Sequence, residues 1–202
     1  MTHPFVTETA DGSLDRERNY VYFDQDYLFL REWAILLNLA TAKAPDFDAA
    51  RELVRFLHLG LGGEEGLFQE AFLERGISRK AVEGLQYLPT TQNYNGCLRT
   101  LVYEDAFTEV GATLLAVEWP YLDWAQRAEE AGRKPGDRYY QTWIDIHTSP
   151  GMSGFVSWLR RLVDESAPTA AQQDKLQGIF RDVLRYEYQF FEMAYRVESW
   201  PQ

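Results

Sequence analysis

Apolar side chains in this 202-residue chain recur at alternating steps of three and four over long stretches, and the breakers between those stretches are few. That period belongs to the buried face of a helix, whereas a half-buried strand alternates at every second residue. The first long run reads from Asp15 to Lys43, with Phe23, Tyr27, Leu30, Ala34 and Leu37 as one buried stripe that fades at Thr41. Ala44-Pro45-Asp46 ends it, and Asp46 or Asp48 caps a second run reaching Arg75, loosened by glycines at 60, 62 and 63. Ser78 caps a short helical turn before Tyr87-Leu88-Pro89, and Thr90 or Thr91 opens the next helix. Asp105 starts a helix through Ala131 that Pro120 is expected to kink or interrupt. After the break from Gly132 to Asp137, a short helix runs to about His147. Ser149-Pro150 then places a cap before a proline at the first helical position, leading to Asp164, and the last helix spans about Thr169 to Arg196. No convincing strand, repeat, low-complexity tract or long linker appears. The expectation is therefore an all-α fold, one helical domain covering residues 1–202.

Composition narrows the function. Acids exceed bases by 11, and such a balance lacks the Lys/Arg footprint of a phosphate-backbone binder. Cys97 is the only cysteine, so no intrachain disulfide forms and a reducing compartment is expected. The segment from Met1 to Ser13 carries Glu8 and Asp11 and lacks a basic region followed by an apolar one, so no targeting segment is read there. The longest charge-free apolar segment, Trp33 to Ala42, is interrupted by Asn38 and Thr41 and falls short of the roughly 20 residues a membrane span needs. A cytoplasmic protein without nucleic-acid or membrane partners is expected.

Several motifs fail on inspection. Gly60-Leu61-Gly62-Gly63-Glu64-Glu65-Gly66 has the wrong spacing for a dinucleotide loop, follows no strand and would turn two glutamates on a pyrophosphate. Close helix packing or a kink explains those glycines better. Neither His58 nor His147 has an acid three or four residues away, and His3 lies in the N-terminal arm, so no metal site or cofactor is expected. Cys97, between Gly96 and Leu98, reads as a small buried hydrophobe rather than a nucleophile.

The informative signal is acids on apolar faces. In the last helix Ile179, Val183, Phe190 and Ala194 define an inward stripe with Glu187 at its centre. An ionised carboxylate taken out of water costs several kcal/mol unless it is paired. Such a Glu is either tied into a structural hydrogen-bond network or kept for chemistry. In the first long helix Asp26 lies with Tyr22, Phe29 and Trp33 on a flank of the buried stripe. In the helix from Asp105, Phe107, Val110, Leu114 and Tyr121 project one way, and Val117 and Glu118 flank that direction on opposite sides. Glu118 alone also reads as a boundary residue. Three acids on three helices, among many Tyr, Phe and Trp, describe an aromatic-walled pocket for a flat heteroaromatic ligand with an amidine-like edge.

The residues quoted so far belong to a wider pattern. His3-Pro4-Phe5-Val6 and Asp11-Gly12-Ser13-Leu14, Gln25-Asp26-Tyr27-Leu28-Phe29-Leu30, Pro89-Thr90 with Tyr94, Tyr140-Gln141-Thr142-Trp143-Ile144, and the run from Tyr186 to Tyr195 with Glu198-Ser199-Trp200 together resemble the TenA/thiaminase II family. That family has the haem-oxygenase-like fold and handles the pyrimidine part of thiamin. The resemblance implies that Asp26 holds the aminopyrimidine edge, that Phe29 stands at a ring-contacting position usually occupied by Tyr, and that Tyr94 and Tyr121 are pocket tyrosines. It implies Glu187 as the carboxylate protonating the leaving group, Phe190 as a stacking ring, and a homotetramer.

Two departures matter. The family's cysteine nucleophile falls at Val117, and a second active-site tyrosine is replaced by His147. Valine cannot attack a ring carbon, so a covalent thiolate adduct is excluded. Some relatives carry glutamate in place of that cysteine, and Glu118 is one residue away. The resulting expectation is a thiamin-pyrimidine salvage hydrolase acting on aminomethyl- or formylaminomethyl-pyrimidine. Water would replace the thiolate, and Glu187 with Glu118 or His147 would supply acid/base catalysis, His147 being equally readable as a helix C-terminal residue favoured by the macrodipole. The alternative is a non-catalytic binding protein for a pyrimidine or other ring compound. An oxidoreductase-like relative of the same fold is a third class, and the absence of histidine pairs argues against its metal-dependent form.

Overall fold

A computed structural model describes residues 2–167 and 169–201. Among them the elements are helices and no strand: α1 Pro4–Asp11, α2 Arg16–Lys43, α3 Phe47–Glu74, α4 Arg79–Glu83, α5 Pro89–Glu104, α6 Phe107–Glu130, α7 Arg138–His147, α8 Pro150–Glu165 and α9 Ala170–Tyr195. Most starts are capped as residue type dictates. Asp15, Asp46, Ser78, Asp137, Ser149 and Thr169 each accept a backbone N–H with the side chain, and Thr169 forms a reciprocal capping box with Gln172.

Four expectations are corrected. Residues 4–11 form a helix rather than an arm, with Pro4 in its first turn, the side chain of His3 accepting from Phe5 N–H as N-cap, and Gly12 closing it at φ 72°. Its eight residues make only about two turns, with Phe5, Val6, Thr9 and Ala10 as the buried face, too short a run to stand out as a period. The helix at 89 starts on Pro89 with Leu88 as N-cap and no side-chain cap, so Thr90 and Thr91 lie inside it. Asp105 ends α5, and α6 begins after Ala106, again without a side-chain cap. Finally, α6 runs through Pro120 without interruption. Proline removes its own N–H bond and crowds the Ala116 carbonyl, but α6 is buried on nearly every side and packing keeps it one helix.

α2 is the central rod, packed by α3, α5, α6 and α9. Because neighbours surround it, the flank carrying Tyr22, Asp26, Phe29 and Trp33 is fully buried, while Tyr27 and Ala34 of the expected stripe are only partly so. α6 packs against α8 and α9 on its other sides, and α3 and α7 close one end of the bundle. Three glycines set interhelical distances by close approach: a Cβ on Gly60 would stand 2.3 Å from the Trp33 ring, one on Gly111 2.8 Å from Leu162 and one on Gly151 2.7 Å from Leu59.

The core is built on rings. Phe191 stacks on Phe5 at 5.4 Å and on Tyr22 at 5.9 Å, with Tyr121 at 5.6 Å. His3, fully buried, packs edge-on against Tyr195 at 5.7 Å, and its Nε2 lies 2.8 Å from Glu192 Oε2, pinning α1 to α9. No helix among the described residues is long and apolar enough to cross a membrane. Truncating the ring that ties four helices together, Phe191→Ala, is expected to cost about 3–5 kcal/mol in urea unfolding. A loss below about 1 kcal/mol would mean that the rings around Phe191 repack freely.

Candidate active site

One stripe of α2 presents Asp26, Phe29, Leu30 and Trp33, spaced 0, 3, 4 and 7 along the helix and therefore stacked on one face. α6 presents Val117, Glu118 and Tyr121 opposite, α3 contributes Glu64 and α7 contributes His147. These side chains enclose a cavity of about 40 Å³. It continues into a wider space of about 380 Å³ bounded by Phe56, Leu59, Gly60, Gly63 and the segment Ile146 to Met152. Trp33, Glu64, Glu118 and His147 line both parts and so form a collar between them. No lysine or arginine lines either.

The sequence-derived candidates fall into two layers. Asp26, Phe29, Val117, Glu118, Tyr121 and His147 face the inner cavity. Tyr94, Glu187 and Phe190 stand behind it: Tyr94 stacks on Phe29 at 5.3 Å, and Phe190 lies 5.7 Å from Phe29. Both Val117 and Glu118 reach the wall, because a cavity edge between α2 and α7 subtends more than one helical direction. Glu64 was missed. It sits in the glycine-bearing segment set aside as packing, and the available signal was its spacing one turn beyond Gly60, the residue that lets α3 touch Trp33.

The acids are held by polar handles on rings, not by cations. Trp33 Nε1–H donates to Glu118 Oε1 at 2.6 Å, and the Tyr94 hydroxyl donates to Glu187 Oε1. Tyr22 donates to the Tyr121 hydroxyl at 3.1 Å. Burial pushes the Glu187 carboxyl up to about 8, with the Tyr94 and Tyr121 hydroxyls opposing the rise. Burial likewise lifts Glu118 to about 8, opposed by the Trp33 hydrogen bond and reinforced by the charges of Glu64 and Glu187. Asp26 is raised well above the usual range by burial and by the charges of Glu64 and Glu187. Glu32 shows the contrast: it is covered on α2 but lies nearer the surface, and hydrogen bonds from Arg99 and Tyr87 overcome its smaller burial penalty and hold its carboxyl low.

His147 ends α7, yet burial, not the helix terminus, dominates it and pushes it down to about 4. Its Nδ1 lies 2.8 Å from the Trp143 carbonyl, which only accepts, so Nδ1 carries the proton and Nε2 is left as an acceptor. A neutral ring stacked 5.0 Å from Tyr121 is a hydrogen-bonding wall, not a proton donor at neutral pH. Cys97 is half-buried rather than buried, its thiol pushed up by burial and by Asp182, and it lines neither part of the cavity. Among the described residues no group of three or more His, Cys, Asp or Glu is arranged to hold a metal ion.

The sequence that builds this ring-walled site matches the family described as TENA/THI-4/PQQC over residues 1–197. The chain belongs to that family. It is 28% identical over 200 residues to an aminopyrimidine aminohydrolase of Halalkalibacterium halodurans, covering 98% of this chain and 89% of that protein. An aminopyrimidine aminohydrolase of Helicobacter pylori is 29% identical over 198 residues, covering 97% and 91%. Among solved structures, a TenA homologue from P. horikoshii OT3 superposes with a TM-score of 0.85 at 23% identity, over 96% of this chain and 90% of that one. A haem oxygenase-like domain from Shewanella denitrificans gives 0.73 at 14% identity, over 96% and 84%. The fold of this TenA-family chain is thus the haem-oxygenase-like helical bundle.

The raised carboxyls make stability fall with pH. Where the folded chain keeps a proton on Glu118 that the unfolded chain releases near 4.5, stability declines as pH rises from about 5 toward 8, by about 1.4 kcal/mol per pH unit at most. Glu118→Gln removes that titration. Denaturant unfolding should show the variant gaining on the native chain between pH 5.5 and 8, and parallel curves would contradict the raised value.

Proposed function

We propose that this protein is a cytoplasmic hydrolase of thiamin-pyrimidine salvage that cleaves the C–N bond on the arm of an aminomethyl-pyrimidine or its formylaminomethyl derivative. The observation that carries the reading is the convergence of Asp26 and Glu118, from two helices, on one ring-walled cavity without a countercharge. The aminopyrimidine aminohydrolases that resemble the chain over nearly its whole length support it. The family resemblance adds a homotetramer to this reading.

A carboxyl kept neutral offers one donor and one acceptor. Asp26, raised by burial, is therefore the complement of a ring nitrogen beside an exocyclic amino group, donating to the first and accepting from the second. Phe29 and Tyr121 flank the ring, and Phe190 and Tyr94 hold Phe29 in place. Val117 borders the ring without a nucleophilic atom, so water supplies the oxygen. The C–N bond breaks, a C–O bond forms, the water loses a proton to a carboxylate, and the nitrogen departs carrying a proton. A formylated arm needs that proton from the enzyme. Glu118, in the cavity wall and protonated at neutral pH, is placed to give it, and the carboxylate so formed takes the proton of the attacking water. Glu187 acts from behind the wall, its Oε1 held by the Tyr94 hydroxyl and its buried Oε2, beside Tyr121, left without a partner among the described residues. His147 supplies its Nε2 acceptor to the water.

Val117 also favours a second reading, a pocket that binds a ring compound without turning it over. Purified protein is to be assayed for hydrolysis of both pyrimidines. Turnover is expected, with Glu118→Gln and Glu187→Gln each lowering kcat by about 100-fold or more. With the formylated substrate kcat should fall as pH rises through about 8, where the acid loses its proton. Tight binding with no turnover of either compound by the folded native chain would replace the hydrolase with the binding protein.

A further inference from the structure

Glu64 belongs to no part of the mechanism above, yet its position at the collar is set by packing. Gly60 presses on the Trp33 ring so closely that a Cβ there would stand 2.3 Å from it. One helical turn further along α3, the same face brings Glu64 to the junction of the inner cavity and its wider mouth. Trp33 is also the donor that holds Glu118, so one contact between α2 and α3 sets both acids of the collar. Among the described residues no cation or hydrogen-bond donor reaches the Glu64 carboxyl, and burial lifts it to about 7. Its charge is felt by Asp26, deeper in the cavity, and by Glu118 across it.

With the amino group on Asp26, the arm, carried on the adjacent ring carbon, is to be met by the collar of the same cavity. That place has carboxyls from α3 and α6, a neutral imidazole from α7 and no basic side chain. We propose that Glu64 is a specificity-determining residue that receives the positively charged nitrogen of the ligand's arm, so that the site selects an ammonium-bearing aminopyrimidine over the same ring with a neutral arm. This rests on the aminopyrimidine reading of the cavity. The ammonium donates to the half-buried Glu64 carboxylate, and a charge-assisted hydrogen bond is stronger than a neutral one. A hydroxymethyl arm, which is what hydrolysis leaves, has no charge to pair and is held less tightly, which favours its release.

The test is calorimetric binding at pH 8 of two ligands, the aminomethyl- and the hydroxymethyl-pyrimidine, to the native chain and to Glu64→Gln. Glu65→Gln, whose side chain lines neither part of the cavity, serves as the control. The native chain should prefer the aminomethyl ligand. Glu64→Gln should lose about tenfold or more in affinity for it while changing about twofold or less for the hydroxymethyl ligand, and Glu65→Gln should change neither. Equal losses for both ligands, or no loss for either, would overturn the proposal while leaving the aminopyrimidine reading intact. Failure of the native chain to bind either ligand would overturn both. Should Glu64→Gln unfold, Glu64→Asp, which keeps the charge and draws it back by one methylene, must show the same selective loss in weaker form, and an unselective loss there also overturns the proposal.

Discussion

Asp26, Glu118 and Glu187 are buried close to one another, and among the described residues no lysine or arginine lines the cavity between them; the site follows from that constraint. Removing an ionised carboxylate from water is far more expensive than removing a neutral acid, so burial is relieved by keeping protons on. Each remaining charge makes its neighbours harder to ionise. The outcome is a set of acids poised to hand over or share protons at neutral pH, the property that acid/base chemistry on a nitrogen heterocycle requires. Glu32, buried on the same helix but paired with Arg99, shows that the fold can neutralise an acid when it is structural.

The carboxyls hold their places because rings hold them. Trp33 is wedged between Gly60 and Glu118, touching one with its ring and the other with its N–H. Tyr94 is stacked between Phe29 and Tyr186 while its hydroxyl fixes Glu187. A ring in a packed interior has few rotamers, so a polar atom on its rim is a fixed point. The aromatic richness of the chain is therefore not only core volume. It supplies the donors that orient the acids.

Much of this was legible along the chain. The long helices follow from a period of three and four, and Asp26 and Glu187 stand out because acids rarely occupy the middle of an apolar face. Glu32 did not stand out, since the partner that covers it, Arg99, is remote in sequence. Nor did α1, which is too short to show a period and is held by the contact between His3 and Glu192 across nearly the whole chain. Glu64 was hidden among glycines, where polarity reads as surface. Only the approach of α3 to Trp33 turns it inward.

The amino-acid order by itself determined the helical class, the caps at Asp46, Ser78 and Ser149, and the presence of acids on inward faces. These depend on neighbours within a turn or two, and local geometry suffices to read them. Tertiary structure decided which acids share a cavity, that Val117 and Glu118 both reach its wall, that His147 stays neutral and that Glu187 stands one layer behind. Those outcomes depend on distances between helices and on the loss of water around each group, and neither is a property of any single helix.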